Sequence, residues 1–346
     1  MTRRERALAI ADGRTLVSAD PATVSWLTGH VPDIEWGPSP FSAPPFVIVD
    51  PAGAIRLVCS EDEAGGLAAE VEAITFPGFA LEDVDRRARS AELALSLLHG
   101  RVAGELASLP GPLARVELDD VGAALQRARA VKDPDEIDGI LAAIAIADVG
   151  QAAARAALRT GITELELWTE TRAAMETAAG GRLPVLADFV TGPRTGEIGG
   201  PPTGRRIEEG DLLLVDLVPR VGGYWGDSCA TVATAEPPSA VREAHQRALE
   251  ALAEAKAAIR PGANAGDIDA IARAHLSFPH HTGHGIGLTT HEQPRIVPGN
   301  DLQLEPGMVI ALEPGTYAED WGLRVEHVVL VTADGCDTLS RHDLSL

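Results

Sequence analysis

The chain has 346 residues, 45% apolar and 23% charged, with a formal net charge of −22. Those values belong to a soluble globular protein with room for two domains and a sizeable core. So acidic a chain argues against nucleic acid and anionic membrane surfaces as partners. The excess is uneven: residues 1–130 carry 12 basic and 19 acidic side chains, and residues 131–346 carry 17 and 32. The only lysines are Lys132 and Lys256, a habit of composition to which no function attaches. Cys59, Cys229 and Cys336 are far apart and lack C-x-x-C spacing, which fits a reducing compartment and offers no thiolate metal site. The N-terminus is basic, but Asp12 cuts its apolar stretch too short for a signal peptide. No run of about 18 apolar residues occurs, so no spanning helix is expected, and a cytoplasmic location follows.

Residues 1–130 read as an α/β unit. The segment F-V-I-V-D-P-A-G-A-I-R-L-V-C predicts two strands around a turn at Asp50–Gly53. A helix is expected near 86–100 and a further strand at A-R-V-E-L, residues 114–118. No chemical motif lies here, and the expected role is shaping a cleft or a subunit contact. The boundary falls at V-K-D-P-D-E-I, where Asp133 is a suitable N-cap, Pro134 the first helical residue and Glu136 the third. An Ala-rich helix then runs to about Arg159, with Ile137, Ile140, Leu141 and Ile144 at helical spacing, and Thr163 caps another. The remainder repeats this plan. A helix over 239–259 ends in R-P-G-A-N and a second begins near Asp267, so Arg260–Gly262 matches Arg159–Gly161.

The duplication extends to the strands. Residues 208–216 read E-E-G-D-L-L-L-V-D and residues 305–313 read E-P-G-M-V-I-A-L-E. Each apolar run follows a glycine and ends in an acid, Asp216 or Glu313. A second acid follows each, Asp227 in Y-W-G-D and Glu326 in L-R-V-E-H-V-V. Strands buried enough to be this apolar do not carry ionised carboxylates without partners. Hairpins would pair the acids within each half, and a pseudo-twofold would set the two pairs face to face.

Between the halves lies H-H-T-G-H-G-I-G-L-T-T-H-E. Glycines around His284 leave room beside its imidazole. A phosphate-binding loop is disfavoured, because no Lys–Ser/Thr follows. Four carboxylates with one imidazole suit Mn²⁺, Co²⁺, Fe²⁺ or Zn²⁺, and four negative charges balance two divalent ions. Such a pair can hold a bridging hydroxide and clamp a tetrahedral oxyanion. His291 and His280 are placed to shuttle a proton or steady an oxyanion. His281 is read as structural, and His327 should point away from Glu326.

With these residues in hand, residues 131–346 resemble the pita-bread metallopeptidases: Xaa-Pro dipeptidase, Xaa-Pro aminopeptidase and methionine aminopeptidase. Residues 1–130 resemble the creatinase-type domain that precedes it. The likeness rests on Asp216 in L-L-L-V-D, Asp227 in G-Y-W-G-D, His284 in G-H-G-I-G, Glu313 in A-L-E-P-G and Glu326 in G-L-R-V-E. It implies an α/β fold with an internally duplicated pita-bread domain, two divalent metal ions (Mn²⁺ foremost) and a homodimer joined through the N-terminal domain. Asp227 and Glu326 would bridge the metals, Asp216 would complete one site, and His284 with Glu313 the other. Glu313 would also relay a proton. His291 would stabilise the tetrahedral intermediate, His280 and Tyr317 would face the substrate, and Arg324 would hold the ligand geometry. One position departs from the pattern. The family's active peptidases carry a histidine about seventeen residues before the first aspartate, and here that count reaches Gly199. The expected activity is cleavage of Xaa-Pro peptides, with a hydrolase or lyase of a non-peptide small molecule as the alternative.

Overall fold

The computed structural model describes residues 1–32, 43–78 and 86–346. They form two compact units, Met1–Arg129 and Ala130–Leu346. In chain order the first contains α1 (Arg3–Ala11), β1 (Thr15–Ser18), α2 (Pro21–Thr28), β2 (Phe46–Val49), β3 (Ile55–Ser60), β4 (Val71–Phe76), α3 (Arg86–Ser96), β5 (Val102–Gly104) and β6 (Leu118–Asp120), with α4 (Gly122–Ala130) at its end. The strands make a mixed six-stranded sheet in the order β4-β3-β2-β1-β5-β6. The hairpin expected at Asp50–Gly53 joins β2 to β3. Gly53 there has φ +91°, and the Asp50 carboxylate accepts from the Ala54 amide at 2.9 Å. The strand expected at 114–118 is displaced. Leu113–Arg115 forms a single 3₁₀ turn after Pro110 and Pro112, and pairing with β5 starts only at Leu118. Proline leaves no amide to donate, and Leu113 in that turn is buried.

The second unit begins with α5 (Pro134–Ala157) and α6 (Glu164–Ala179). Both starts are capped as the sequence implies: the Asp133 amide donates to Glu136 at 3.1 Å, and the Glu166 amide to Thr163 Oγ1 at 3.1 Å. By length and composition α5 is long and apolar enough to cross a bilayer, although the sequence holds no unbroken apolar run of that length. Here its apolar face, with Ile140, Ile144 and Ala147, is buried. There follow β7 (Val185–Thr191), β8 (Leu212–Val221), β9 (Tyr224–Trp225) and β10 (Cys229–Ala233), then α7 (Ser239–Ala258) and α8 (Ala265–His275). The remaining strands are β11 (Gly283–Gly285), β12 (Glu292–Ile296), β13 (Val309–Leu312), β14 (Gly315–Tyr317), β15 (Gly322–Arg324), β16 (His327–Val331) and β17 (Cys336–Thr338). One sheet runs β10-β8-β7, with β9 paired to β8, and another β12-β11-β13-β16-β17, while β14 and β15 form a separate ribbon.

The duplication recurs in the backbone itself. Gly161 donates to the Ile207 carbonyl at 2.8 Å, and Gly262 to that of Leu304 at 2.9 Å. Isolated bridges Thr163↔Arg206 and Asn264↔Gln303 occupy matching places. Gly210 and Gly307, which open the two acid-ended strands, both have φ +90°. At this φ a side chain would strain the backbone, so glycine recurs.

Contacts between the halves then bring the acids together. The Glu326 amide donates to the Cys229 carbonyl at 3.0 Å. Thr231 Oγ1 accepts from the Arg324 amide at 3.0 Å and donates to the Arg324 carbonyl at 3.1 Å. From α5, the buried Gln151 amide donates to the carbonyls of Val215 and Ser228 at 3.0 and 2.9 Å, clasping the chain beside Asp216 and Asp227. Gly226, just before Asp227, lies against that helix: a Cβ there would stand 2.5 Å from the carbonyl carbon of Ala143. Gly226→Ala should therefore lower unfolding stability by about 1–3 kcal/mol in a denaturant titration, whereas an unchanged midpoint would contradict this packing.

Candidate metal centre

Asp216 sits on β8 opposite Cys229 of β10, and Asp227 lies two residues before Cys229. Glu313 follows β13 and Glu326 precedes β16, with Leu312 and His327 paired between them. Each acid therefore stands at the mouth of a hairpin. Carboxylate oxygens of Asp216, Asp227 and Glu326 lie within 4.8 Å of one another. His284 on β11 completes the group: its Nε2 is 3.4 Å from Glu313 Oε1 and 3.6 Å from Asp227 Oδ2. All five face one open cavity of about 280 Å³.

The electrostatics are unbalanced for protein alone. Burial pushes the Asp216 carboxyl up to about 6, even against the charge of Arg324. Burial, then repulsion from neighbouring acids, raises Asp227 and Glu326 well above the usual carboxylate range. Burial also works to raise Glu313, but hydrogen bonds to His281 and His284 outweigh it and hold it well below. Asp216 Oδ1 and Glu326 Oε1 are buried with no hydrogen-bond partner. Crowded carboxylate oxygens with unused lone pairs and an adjacent imidazole form a donor set that fits divalent cations.

Arg324 is buried beside these acids. Only 5% of its side chain is exposed, and Nη2 reaches Asp216 Oδ2 at 2.5 Å and Asp188 Oδ2 at 3.1 Å. His280 lines the cavity; Tyr317, expected to face substrate, stands behind it and is linked to His280 Nε2 through its Oη at 2.9 Å. The His291 ring lies over that of His284, 4.0 Å between centroids. Burial, helped by His284 and His281, pushes His291 down to about 4, so its imidazole is neutral near pH 7. His327 packs on His342, 5.4 Å between centroids, and does not line the cavity.

Two readings of the sequence need correction, and two residues escaped it. His281, taken as structural, has Nε2 2.7 Å from Glu313 Oε1 and forms with His284 and His291 a second cluster whose ring nitrogens lie within 4.8 Å. Lys132, taken as a compositional accident, is 1% exposed and ion-paired with Glu292, which is 5% exposed and adjoins His291. Thr289 donates to the other Glu292 oxygen at 3.1 Å, so the loop carrying His291 is anchored from inside. Asp188 and Gln151 carried no motif. Asp188 is legible only as the cross-strand partner of Asp216, a register that the sequence does not state.

Residues 138–333 match metallopeptidase family M24, and the chain belongs to that family. Among individual proteins, it is 38% identical over 232 residues to the probable dipeptidase PepE of Mycobacterium tuberculosis, covering 64% of this chain and 61% of that protein. It is 32% identical over 239 residues to the Xaa-Pro dipeptidase of Pyrococcus furiosus, covering 66% and 68%. The match thus spans somewhat under two thirds of the mycobacterial protein. Among solved structures, the prolidase from Pyrococcus furiosus superposes with a TM-score of 0.83 at 26% identity, over 97% of this chain and 99% of that one. The dipeptidase PepE from Mycobacterium ulcerans gives 0.81 at 27% identity, over 99% and 96%. The mixed α/β fold is therefore that of the prolidases.

If mutual repulsion strains the acid cluster, Asp227→Asn should raise the stability of metal-free protein while cancelling the gain from added Mn²⁺. For the unaltered chain that gain should approach ~2.7 kcal/mol at a hundredfold excess over Kd. Thermal melts with and without metal read both effects, and equal metal stabilisation of the two proteins would contradict the assignment.

Proposed function

We propose that this chain is a divalent-metal-dependent peptidase acting on short peptides, with Xaa-Pro dipeptides as the first substrates to test. The observation that carries the reading is the convergence of Asp216, Asp227, His284, Glu313 and Glu326 on one cavity. Membership of the metallopeptidase family and similarity to proteins named dipeptidase and Xaa-Pro dipeptidase support it. Asp216, Asp227 and Glu326 would hold one cation, and His284 with Glu313 a second that shares the central acids. The oxygen-rich set favours Mn²⁺, with Co²⁺, Zn²⁺ and Fe²⁺ as rivals. Bound there, the cations would supply Lewis acidity and activate water as the nucleophile.

The chain's own groups do the rest. Glu313 is held as a carboxylate by His281 and His284, so it can take the proton of the attacking water and return it to the leaving amine. Neutral His291 can donate a hydrogen bond to the oxyanion, from a loop anchored by Lys132 and Glu292. Arg324 fixes Asp216, and His280, held from behind by Tyr317, offers a wall for substrate. Scattered free cysteines support a cytoplasmic setting, and the family resemblance supports a homodimer.

Asp227→Ala should abolish both metal uptake, read by elemental analysis, and hydrolysis of Ala-Pro. A metal-replete variant with an unaffected rate would refute the assignment. His291→Ala should keep its metal and lower kcat by roughly 10²–10³, the scale for losing one oxyanion donor, with a smaller change in KM.

A further inference from the structure

Gly199 lies directly against Asp188 at the cavity. A Cβ on Gly199 would stand 2.1 Å from Asp188 Oδ2 and 2.2 Å from its Cγ. The carboxylate fills the volume that any side chain at 199 would need. Asp188 lines the cavity, and 37% of its side chain remains exposed, unlike the buried acids of the metal centre. Among the described residues its one charge partner is Arg324, and that guanidinium is already committed. Arg324 Nη2 is closer to Asp216, at 2.5 Å, and its Nε lies 3.8 Å from Glu313. A single positive charge cannot satisfy three carboxylates. Among the described residues, Asp188 Oδ1 has no hydrogen-bond partner. Along β7 and β8, Leu186 pairs with Val218 as Asp188 pairs with Asp216. Both apolar residues line the cavity, and Leu186 is 55% exposed. A free carboxylate oxygen beside a bare aliphatic patch suits a cation on an aliphatic stem.

We propose that Asp188, in the space left open by Gly199, is the specificity-determining carboxylate of this cavity, accepting an aliphatic ammonium or guanidinium group of the peptide. The inference rests on the peptidase reading for the kind of ligand, and on Asp188 and Gly199 alone for the subsite. The cation can come from two sources, a free α-amine or a basic side chain, and matched ligands separate them.

The test is titration calorimetry on the Mn²⁺-loaded full chain with two pairs, Ala-Pro against N-acetyl-Ala-Pro and Ala-Lys against Ala-norleucine. In at least one pair the cationic member should bind roughly tenfold tighter, as one charge-assisted hydrogen bond allows. Asp188→Asn should erase that preference while the protein still takes up Mn²⁺. Gly199→Ala should erase it too, by displacing the carboxylate. The double variant should lose nothing further, because both changes remove one interaction. The proposal is overturned if neither pair is discriminated, or if Asp188→Asn keeps the preference. If Gly199→Ala does not fold, the Asp188→Asn comparison decides alone. A wild-type protein that keeps the preference but hydrolyses none of these peptides would end the peptidase reading and leave the subsite standing.

Discussion

Five carboxylates, Asp188, Asp216, Asp227, Glu313 and Glu326, converge on a cavity in which Arg324 is the one fixed positive charge among the lining residues. Carboxylates taken out of water and set within a few ångströms of each other repel, and desolvation adds to the penalty. The protein chain compensates only in part. Arg324 steadies Asp216, and His281 with His284 steadies Glu313, but the two central acids are left with raised proton affinity. Any cation that binds releases this strain, so affinity and local stability are set by the same groups.

Holding such a cluster requires a scaffold that resists spreading. The second unit supplies it by repeating one design twice and stitching the copies along their seam. Matching glycines at φ +90° launch the two acid-ended strands, and hydrogen bonds between Cys229, Thr231, Arg324 and Glu326 join the halves beside the acids. Gln151 on α5 grips the same strands from behind. These devices are backbone-directed, which suits a site where side-chain charges oppose assembly.

The cavity is asymmetric in a way that bears on selectivity. One side is imidazole-rich, with His281, His284 and His291 grouped and His291 carried on a loop anchored by the buried Lys132–Glu292 pair. The other carries Asp188 beside exposed aliphatic surface, in place of any side chain at position 199. The lining thus offers a ligand both imidazole rings and a carboxylate outside the metal-binding group.

Much of this was legible along the chain. Caps at Asp133 and Thr163, the repeated glycine–strand–acid segments and His284 among glycines all depend on short spacing, and local physics fixes them. What could not be read there depends on groups far apart in sequence. Asp188 gains meaning only from its register with Asp216, and His281 only from the approach of Glu313. Lys132 is significant only because Glu292, 160 residues away, shares its burial. The sequence determined which residues needed a compensating charge, because hydrophobic strands announce any acid placed at their ends. Tertiary structure decided which neighbours supply that charge and which acid is left partly exposed in the cavity. Those outcomes follow from distances between distant segments, and no local pattern encodes them.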